Sequence, residues 1–105
     1  MQDWPKVNRF LTPREIVEVL FERLKGEPGV EDFIKEGPVM YHHGLGTSIR
    51  KEFHLWHPEN PYTMKDYVPQ FRYGIDYNPR HADSTSGRIL EELHQRIEKY
   101  LKEQQ

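Results

Sequence analysis

The chain has 105 residues, a formal net charge of -2 and no cysteine, which allows one small domain and excludes disulfides, thiolate catalysis and cysteine-based metal sites. Its acidic and basic residues are evenly mixed and its pI is about 6.3, which argues against nucleic acid as a partner. No apolar stretch approaches the roughly 20 residues of a membrane span, and residues 1–4 lack the pattern of a signal peptide, so we expect a cytoplasmic protein without membrane contact.

The first helix is predicted from its capping signals. Thr12 can cap the helix, Pro13 suits its first position, and Glu15 closes a capping box with Thr12. Apolar residues then recur at helical spacing until a glycine and a proline end the pattern. The sequence therefore predicts a helix over residues 12–25.

Two further helices are predicted before the middle of the chain. A short apolar pattern that Gly37 and Pro38 end gives the second helix, and a longer pattern at or after Val39 gives the third. Two glycines near the start of the third helix lower its propensity by up to ~1 kcal/mol each. The apolar positions are Val30, Phe33 and Ile34 for the second helix and Leu45, Ile49, Phe53 and Trp56 for the third.

Residues 57–80 carry four prolines and four tyrosines and form an insert before the last helix. Within it, residues 63–66 resemble a short capped helix. Residues 71–77 alternate in the manner of one extended strand. The remaining aromatic residues are expected to hold the insert against the core, since a structureless loop of this length is uncommon in a compact domain.

The C-terminal helix is predicted over residues 83–102, where the apolar residues follow one stripe. Asp83 or Ser84 is the expected N-cap, and the helix would be about 30 Å long. One strand cannot make a sheet, so the predicted fold class is all-α, a small single-domain bundle of about four helices with a Pro/Tyr-rich insert before the last. Residues 1–11 are interpreted as an N-terminal arm and residues 12–105 as the single helical domain.

The first region that suggests chemistry covers residues 41–50. On a helix, His43 and Arg50 lie seven residues apart on one face. A neighbouring guanidinium disfavours the charged imidazole, which would keep a neutral base or ligand available. In the alternative interpretation, His43 bonds to a neighbouring loop and Arg50 joins the carbonyl groups at a helix end.

The second such region covers residues 80–88, at the predicted start of the last helix. Free N–H groups, hydroxyl side chains and arginines suit an anion such as phosphate, with Arg50, Ser86 and Arg88 as the anion-binding residues. In the alternative interpretation, Asp83 occupies the same N–H groups as an ordinary N-cap.

Metal and cofactor sites are not expected. His54 and His57 are three residues apart, but Pro58 follows directly and the spacing sets no third ligand. The sequence also contains no P-loop, no nucleotide-binding glycine pattern and no His-Glu-x-x-His run. We therefore predict no metal and no cofactor.

Two runs of sequence occur together, YHHGLGTSIRKEFHLW and, after the insert, HADSTSGRIL. With them the chain resembles, over roughly residues 39–97, a family of small bacterial and phage proteins classed as a domain of unknown function. The resemblance implies no activity or cofactor, but it implies that the polar residues of the two runs meet in the fold. Ala82 and Ser84 replace a proline and an aspartate that are usual in that family, which argues against an acidic cluster. The matching positions are His43, Gly44, Leu45, Gly46, Ile49, Arg50, Leu55, Trp56, His81, Asp83, Ser86 and Ile89.

Two functions from different classes remain open. The first is a noncatalytic interaction or regulatory module that binds a protein partner, or a second copy of itself, through aromatic side chains. The second is a small enzyme or ligand-binding domain for a phosphate- or carboxylate-bearing molecule. There Arg50 would bind the anion, His43 or His81 would act as general acid or base, and Asp83 would orient a histidine. The residues predicted for the interaction surface are Trp56, Tyr62, Tyr67, Phe71 and Tyr73.

Overall fold

The structure is a computed structural model that describes residues 4–37 and 44–104. The helices in those ranges are α1 (Pro13–Leu24), α2 (Val30–Glu36), α3 (Leu45–Glu52) and α4 (Ala82–Glu103), and the strands are β1 (Phe71–Arg72) and β2 (Ile75–Asp76). The fold is therefore mostly helical, as predicted. Across the described ranges, none of the helices combines the length and the apolar character that crossing a membrane requires.

α1 begins with the predicted capping box. The Thr12 hydroxyl accepts the Glu15 N–H at 3.1 Å, and the Glu15 carboxylate accepts the Thr12 N–H at 3.0 Å. The Thr12 N–H and the Arg9 side chain lower the pKa of Glu15, because both favour its charged form. The helix ends at Leu24 with Lys25 as its C-cap, so its boundaries are those that the capping signals predict.

α4 is the central helix of the fold, 22 residues and about 33 Å long. α1, α2 and α3 all pack against it, which joins their apolar faces into one core. A polar contact adds to this packing, since Nε2 of His94 donates to the carbonyl oxygen of Ile34 at 2.9 Å. The buried apolar side chains of the core are Ile16, Val17, Leu20, Phe21, Val30, Phe33, Ile49, Leu55, Ala82, Ile89, Leu90, Leu93 and Ile97.

The N-cap of α4 differs from the prediction. The helix begins at Ala82, and its N-cap is His81, whose Nδ1 accepts the N–H of Asp83 at 3.1 Å. Asp83 and Ser84 lie within the first turn. The prediction of Asp83 or Ser84 as the cap is therefore wrong, because a ring nitrogen accepts the hydrogen bond that a hydroxyl or carboxylate usually accepts at this position.

α3 is shorter than its apolar pattern suggests. It ends at Glu52, and His54 has a φ of 55°, in the left-handed region that turns the chain away from the helix. Ile49 is buried as predicted, but Trp56 lies beyond the helix and remains 39% exposed. The aromatic residue at the end of the pattern therefore belongs to the loop that follows α3.

The insert contains a β-hairpin in place of one lone strand. β1 and β2 pair antiparallel, with Arg72 opposite Ile75. Tyr73 and Gly74 between them have φ values of 53° and 78°, and two successive positive φ values are typical of a type I′ turn. The strict all-α class is therefore wrong in this detail, because the second half of the alternating segment folds back onto the first.

Residues 61–66 form turns in place of the short helix predicted at 63–66. Thr63 is fully buried, and its hydroxyl donates to the carbonyl oxygen of Leu55 at 2.6 Å, so it does not cap a helix. Asn60 is also fully buried and donates from Nδ2 to the carbonyl oxygen of His54 at 3.1 Å. These two side chains satisfy backbone groups of the loop after α3 and hold the insert against it.

Candidate functional site

Arg50 is the centre of the polar contacts between α3 and α4. Its Nε lies 3.3 Å from Oδ1 of Asp83, and its Nη1 donates to Oγ of Ser86 at 2.7 Å. Its Nη2 donates to Oγ1 of Thr47 at 2.9 Å. The Arg50 side chain is 11% exposed. The structure thus brings Arg50, Asp83 and Ser86 together, and all three guanidinium nitrogens have partners within the protein.

Ser86 and Arg88, two of the predicted anion-binding residues, also contact the protein itself. Ser86 is fully buried, and its hydroxyl donates to the backbone oxygen of Asp83 at 3.0 Å while it accepts from Arg50. Nη2 of Arg88 donates to the carbonyl oxygen of Pro79 at 3.2 Å. Because His81 also caps the first turn, the start of α4 offers few unpaired donors to an anion.

His81 has a capping and packing role. Its Nδ1 accepts from the Asp83 N–H, so the hydrogen of the neutral ring lies on Nε2. The 3.9 Å between Nδ1 and Oδ2 of Asp83 is too long for a hydrogen bond, so the partner of Nδ1 is the backbone N–H of Asp83 and not its carboxylate. The ring centroid lies 5.0 Å from that of Trp56 and 5.9 Å from that of Tyr67, both close to edge-on.

The remaining predicted acid or base, His43, lies outside the described residues. Among the residues that are described, no three His, Asp or Glu side chains are grouped so that they could hold a metal ion. The ring centroids of His54 and His57 are 6.4 Å apart and the rings are perpendicular. The described members of the predicted catalytic set therefore form an ion pair between helices and a helix cap.

His57 attaches the N-terminal arm to the domain, a contact that the sequence analysis missed. The residue is 3% exposed; its Nε2 donates to the carbonyl oxygen of Pro5 at 2.8 Å, and its Nδ1 accepts the Glu59 N–H at 3.1 Å. Trp4 and Phe10 pack on its ring at centroid distances of 5.6 and 5.1 Å. The local sequence carries no signal for this contact, because 52 positions separate the two bonded residues.

The arm, α3 and the loop after α3 form a cleft of about 730 Å³, which we call the tryptophan cleft. Both tryptophans of the chain line it and remain 43% and 39% exposed. Within the described part of the chain, its lining has two cationic side chains and no acidic one. The lining residues are Trp4, Pro5, Thr47, Arg50, Lys51, His54 and Trp56.

The residues predicted for an interaction surface lie in several places. Trp56 lines the tryptophan cleft. Tyr67 is half-buried, and its hydroxyl donates to a carboxylate of the hairpin. Tyr62 is 38% exposed in the turn region, whereas Phe71 and Tyr73 extend into solvent from the hairpin. The predicted set is therefore divided between the cleft, the support of the hairpin and the hairpin itself.

Five large apolar side chains on and beside the hairpin are more than half exposed, and we call them the hairpin surface. Phe71 and Tyr73 were predicted for such a surface, and the structure adds three neighbours to them. The two-residue alternation suggested a strand, but it gave no indication that the apolar side chains of this segment remain in solvent. The five are Val68 at 67%, Phe71 at 69%, Tyr73 at 95%, Ile75 at 56% and Tyr77 at 58%.

Hydrogen bonds of polar side chains fix the hairpin to the chain on either side of it. The Asp76 carboxylate accepts the Tyr67 hydroxyl and the N–H groups of Gln70 and Asn78, the latter two at 3.0 Å. The Tyr67 hydrogen bond is the main cause that lowers the pKa of Asp76. Burial, followed by the same bond, raises the pKa of Tyr67 to about 12. Nδ2 of Asn78 also donates to the carbonyl oxygen of Val68 at 2.7 Å, so polar contacts set the position of the hairpin.

No family model matches the chain, and no curated protein or solved structure matches it either. Two surfaces of the described structure expose aromatic side chains to a ligand or partner, namely the tryptophan cleft and the hairpin surface.

Proposed function

We propose that the protein is a noncatalytic interaction or regulatory module that binds a partner protein through the hairpin surface. The observation that carries the proposal is the exposure of its five apolar side chains, between 56% and 95%. Aromatic side chains are enriched in protein interfaces, and a grouped set of exposed apolar residues is typical of an interaction site. The even charge pattern and the lack of cysteine fit a cytoplasmic protein with a protein partner in preference to nucleic acid.

The conformation of Tyr73 supports this function. The residue has a φ of 53°, where asparagine or glycine is favoured at the first position of such a turn. A tyrosine there costs about 1 kcal/mol, yet it is also the most exposed of the five side chains. A strained residue whose side chain contributes nothing to the core is expected where that side chain has a role in binding.

The support of the hairpin favours binding as well. Asp76 accepts three hydrogen bonds and Asn78 is nearly fully buried, so the aromatic side chains are presented on an ordered loop. A partner would not have to order this loop on binding, which lowers the entropic cost of association. Phenylalanine and tyrosine also lose little side-chain entropy, because each has two χ angles.

The polar residues considered for catalysis favour a noncatalytic function. Arg50, Asp83 and Ser86 contact one another between two helices, and His81 caps α4. Their contacts are those of a scaffold, and a scaffold is what an interaction module requires.

The test compares the wild type with Phe71→Ser/Tyr73→Ser, and uses Tyr62→Ser as the matched control because Tyr62 is an exposed tyrosine outside the hairpin. Each tagged protein is used to isolate partners from cells that produce it, and every captured protein is then purified and tested for binding by size-exclusion chromatography. We expect one partner that re-forms the complex with wild type and control and not with the double variant.

Two results would overturn the proposal. In the first, the purified partner binds the double variant as well as it binds the wild type. In the second, no captured protein re-forms a complex with the wild type. Sedimentation compares the oligomeric state of the isolated wild type with that of the double variant. If the wild type is a dimer and the double variant a monomer, the hairpin surface binds a second copy of the chain and not a different protein.

A further inference from the structure

We infer that the tryptophan cleft binds a small molecule that combines a flat aromatic ring with one negative charge, such as a carboxylate or phosphate group. This inference goes beyond the proposed function, because the cleft and the hairpin surface share no residue. The ligand is anionic, as in the second function considered from the sequence. The cation that contacts it is Lys51 in place of Arg50, and no chemical reaction is proposed.

The aromatic part of the ligand is inferred from the two indole rings. Trp4 and Trp56 are 43% and 39% exposed, although each ring also rests against a histidine. Trp4 packs on His57 at a centroid distance of 5.6 Å, and Trp56 packs on His81 at 5.0 Å. The indoles are therefore held in position by protein and still have surface left for an aromatic ring, with which they interact favourably in offset or edge-to-face arrangements.

The negative charge is inferred from the cations of the cleft. Arg50 has three partners of its own, and Asp83 offsets its charge. Lys51 is exposed, and in the described ranges its ammonium group has neither a hydrogen bond nor an ion pair. With no acidic side chain in the described lining, the ammonium of Lys51 is the group that an anion would contact.

The size of the cleft fits a small molecule. Its volume of about 730 Å³ lies within the roughly 300–1,000 Å³ that is usual for small-molecule sites. One wall comes from the arm, which the buried His57 holds through Pro5, and the other comes from α3 and the loop after it. The site is therefore formed before a ligand arrives, and binding would not have to order the arm.

NMR of the indole N–H groups gives a direct test, because the two tryptophans of the chain are both in the cleft. The probes are 2-naphthoate, the neutral 2-naphthamide and acetate, which has the charge without the ring. Each is titrated into wild type, Lys51→Gln and the control Lys99→Gln, since Lys99 is an exposed lysine of α4 outside the cleft. Trp4→Leu serves as a second variant, in the wall of the cleft that the arm forms, away from the helices.

We expect 2-naphthoate to shift both indole signals saturably and to bind more tightly than 2-naphthamide or acetate. Lys51→Gln should weaken 2-naphthoate binding about three- to fivefold, as for one solvent-exposed charge pair, and leave 2-naphthamide binding unchanged. Lys99→Gln should leave the binding of both aromatic probes unchanged, and Trp4→Leu should weaken the binding of both. If Lys51→Gln altered the fold, it would weaken the binding of 2-naphthoate and 2-naphthamide equally. This result would distinguish a change in the fold from the loss of the charge.

The inference is overturned if 2-naphthoate causes no saturable shift at millimolar concentration. It is also overturned if the two lysine variants behave alike, or if the neutral probe binds as well as the charged one. The hairpin variants are expected to bind 2-naphthoate as the wild type does, so the outcome here is independent of the outcome for the partner protein.

Discussion

Arg50 of α3 forms an ion pair with Asp83 of α4, and the two side chains of the pair differ sharply in exposure. The Arg50 side chain is 11% exposed and the Asp83 side chain is 53% exposed. The guanidinium also donates to Ser86 and Thr47, so removing the Arg50 side chain eliminates two hydrogen bonds in addition to the ion pair. The two residues should therefore contribute unequally to the stability of the fold.

Arg50→Ala should lower the free energy of unfolding by about 2–3 kcal/mol, because it removes charge-assisted hydrogen bonds and buried stem contacts. Asp83→Ala should cost about 1 kcal/mol or less, since half of its side chain is in water and the pair is screened. Urea unfolding of both variants measures the difference. Arg14→Ala, at an exposed arginine of α1, is the control and should change little. Equal losses for Arg50→Ala and Asp83→Ala would contradict this account.

His57→Ala should release the N-terminal arm while leaving the helices folded. The variant removes the hydrogen bonds to Pro5 and Glu59 and the ring on which Trp4 packs. We expect faster tryptic cleavage at Lys6 and a loss of about 1–3 kcal/mol in stability. His54→Asn is the control, because the His54 ring has no hydrogen bond in the described structure and asparagine tolerates the left-handed φ of 55° at this position. If the rate of cleavage at Lys6 is the same in His57→Ala and in wild type, the arm is held by other contacts.

The Tyr67 and Asp76 pair should make the hairpin sensitive to pH at both extremes. The pKa of Asp76 is lowered in the fold, so its contribution to stability is present above its ordinary value of 3.8 and is lost as the pH falls through the lowered pKa. The pKa of Tyr67 is raised to about 12, so its contribution is complete below 10.0 and is lost as the pH rises from there. The stability advantage of wild type over Tyr67→Phe should therefore be constant from about pH 5 to 9 and decline on either side.

Urea unfolding of wild type and Tyr67→Phe across this pH range measures the advantage directly. Tyr62→Phe is the control, because Tyr62 has no contact with Asp76 among the described hydrogen bonds. An advantage of the wild type over Tyr67→Phe that keeps its size at pH 11 would show that the hydroxyl is not engaged with the carboxylate.

Tyr73→Asn should stabilise the turn and impair binding at the same time. Asparagine tolerates the φ of 53° better than tyrosine does, which predicts a gain of about 0.5–1 kcal/mol in the free energy of unfolding. Tyr77→Asn is the control, since Tyr77 is equally a tyrosine of the hairpin surface but has no left-handed backbone. Thermal unfolding measures the gain, and a Tyr73 variant less stable than the Tyr77 variant would show that the ring stabilises the turn.

Local signals predicted the parts of this fold that depend on neighbours in sequence. The capping box of Thr12 and Glu15 places both partners within one turn, and the structure confirms the helix they begin. The hairpin was missed because its turn reads Tyr73-Gly74, whereas the strong sequence signal for such a turn is Asn-Gly or Asp-Gly. Because a tyrosine occupies the turn position where asparagine or aspartate is usual, the sequence carried no recognisable signal for the hairpin.

Contacts between distant segments could be predicted only in part. The charges of Arg50 and Asp83, in two runs that occur together, suggested the contact between α3 and α4. Nothing near His57 indicates that it bonds to Pro5, so the arm was separated from the domain and the cleft between them was not foreseen. His81 is a similar case, because its use as a cap depends on tertiary packing against Trp56 and Tyr67.

The central position of α4 has a consequence for how the protein acquires its fold during synthesis. α1, α2 and α3 bury their apolar faces against a helix that the ribosome makes after all of them. The contacts that join them to it span long stretches of chain, such as the 60 positions from Ile34 to His94 and the 78 from Glu18 to Arg96. Until α4 has emerged, the earlier helices lack the apolar surface against which they pack in the finished fold, so we expect the core to form only after the last helix is made.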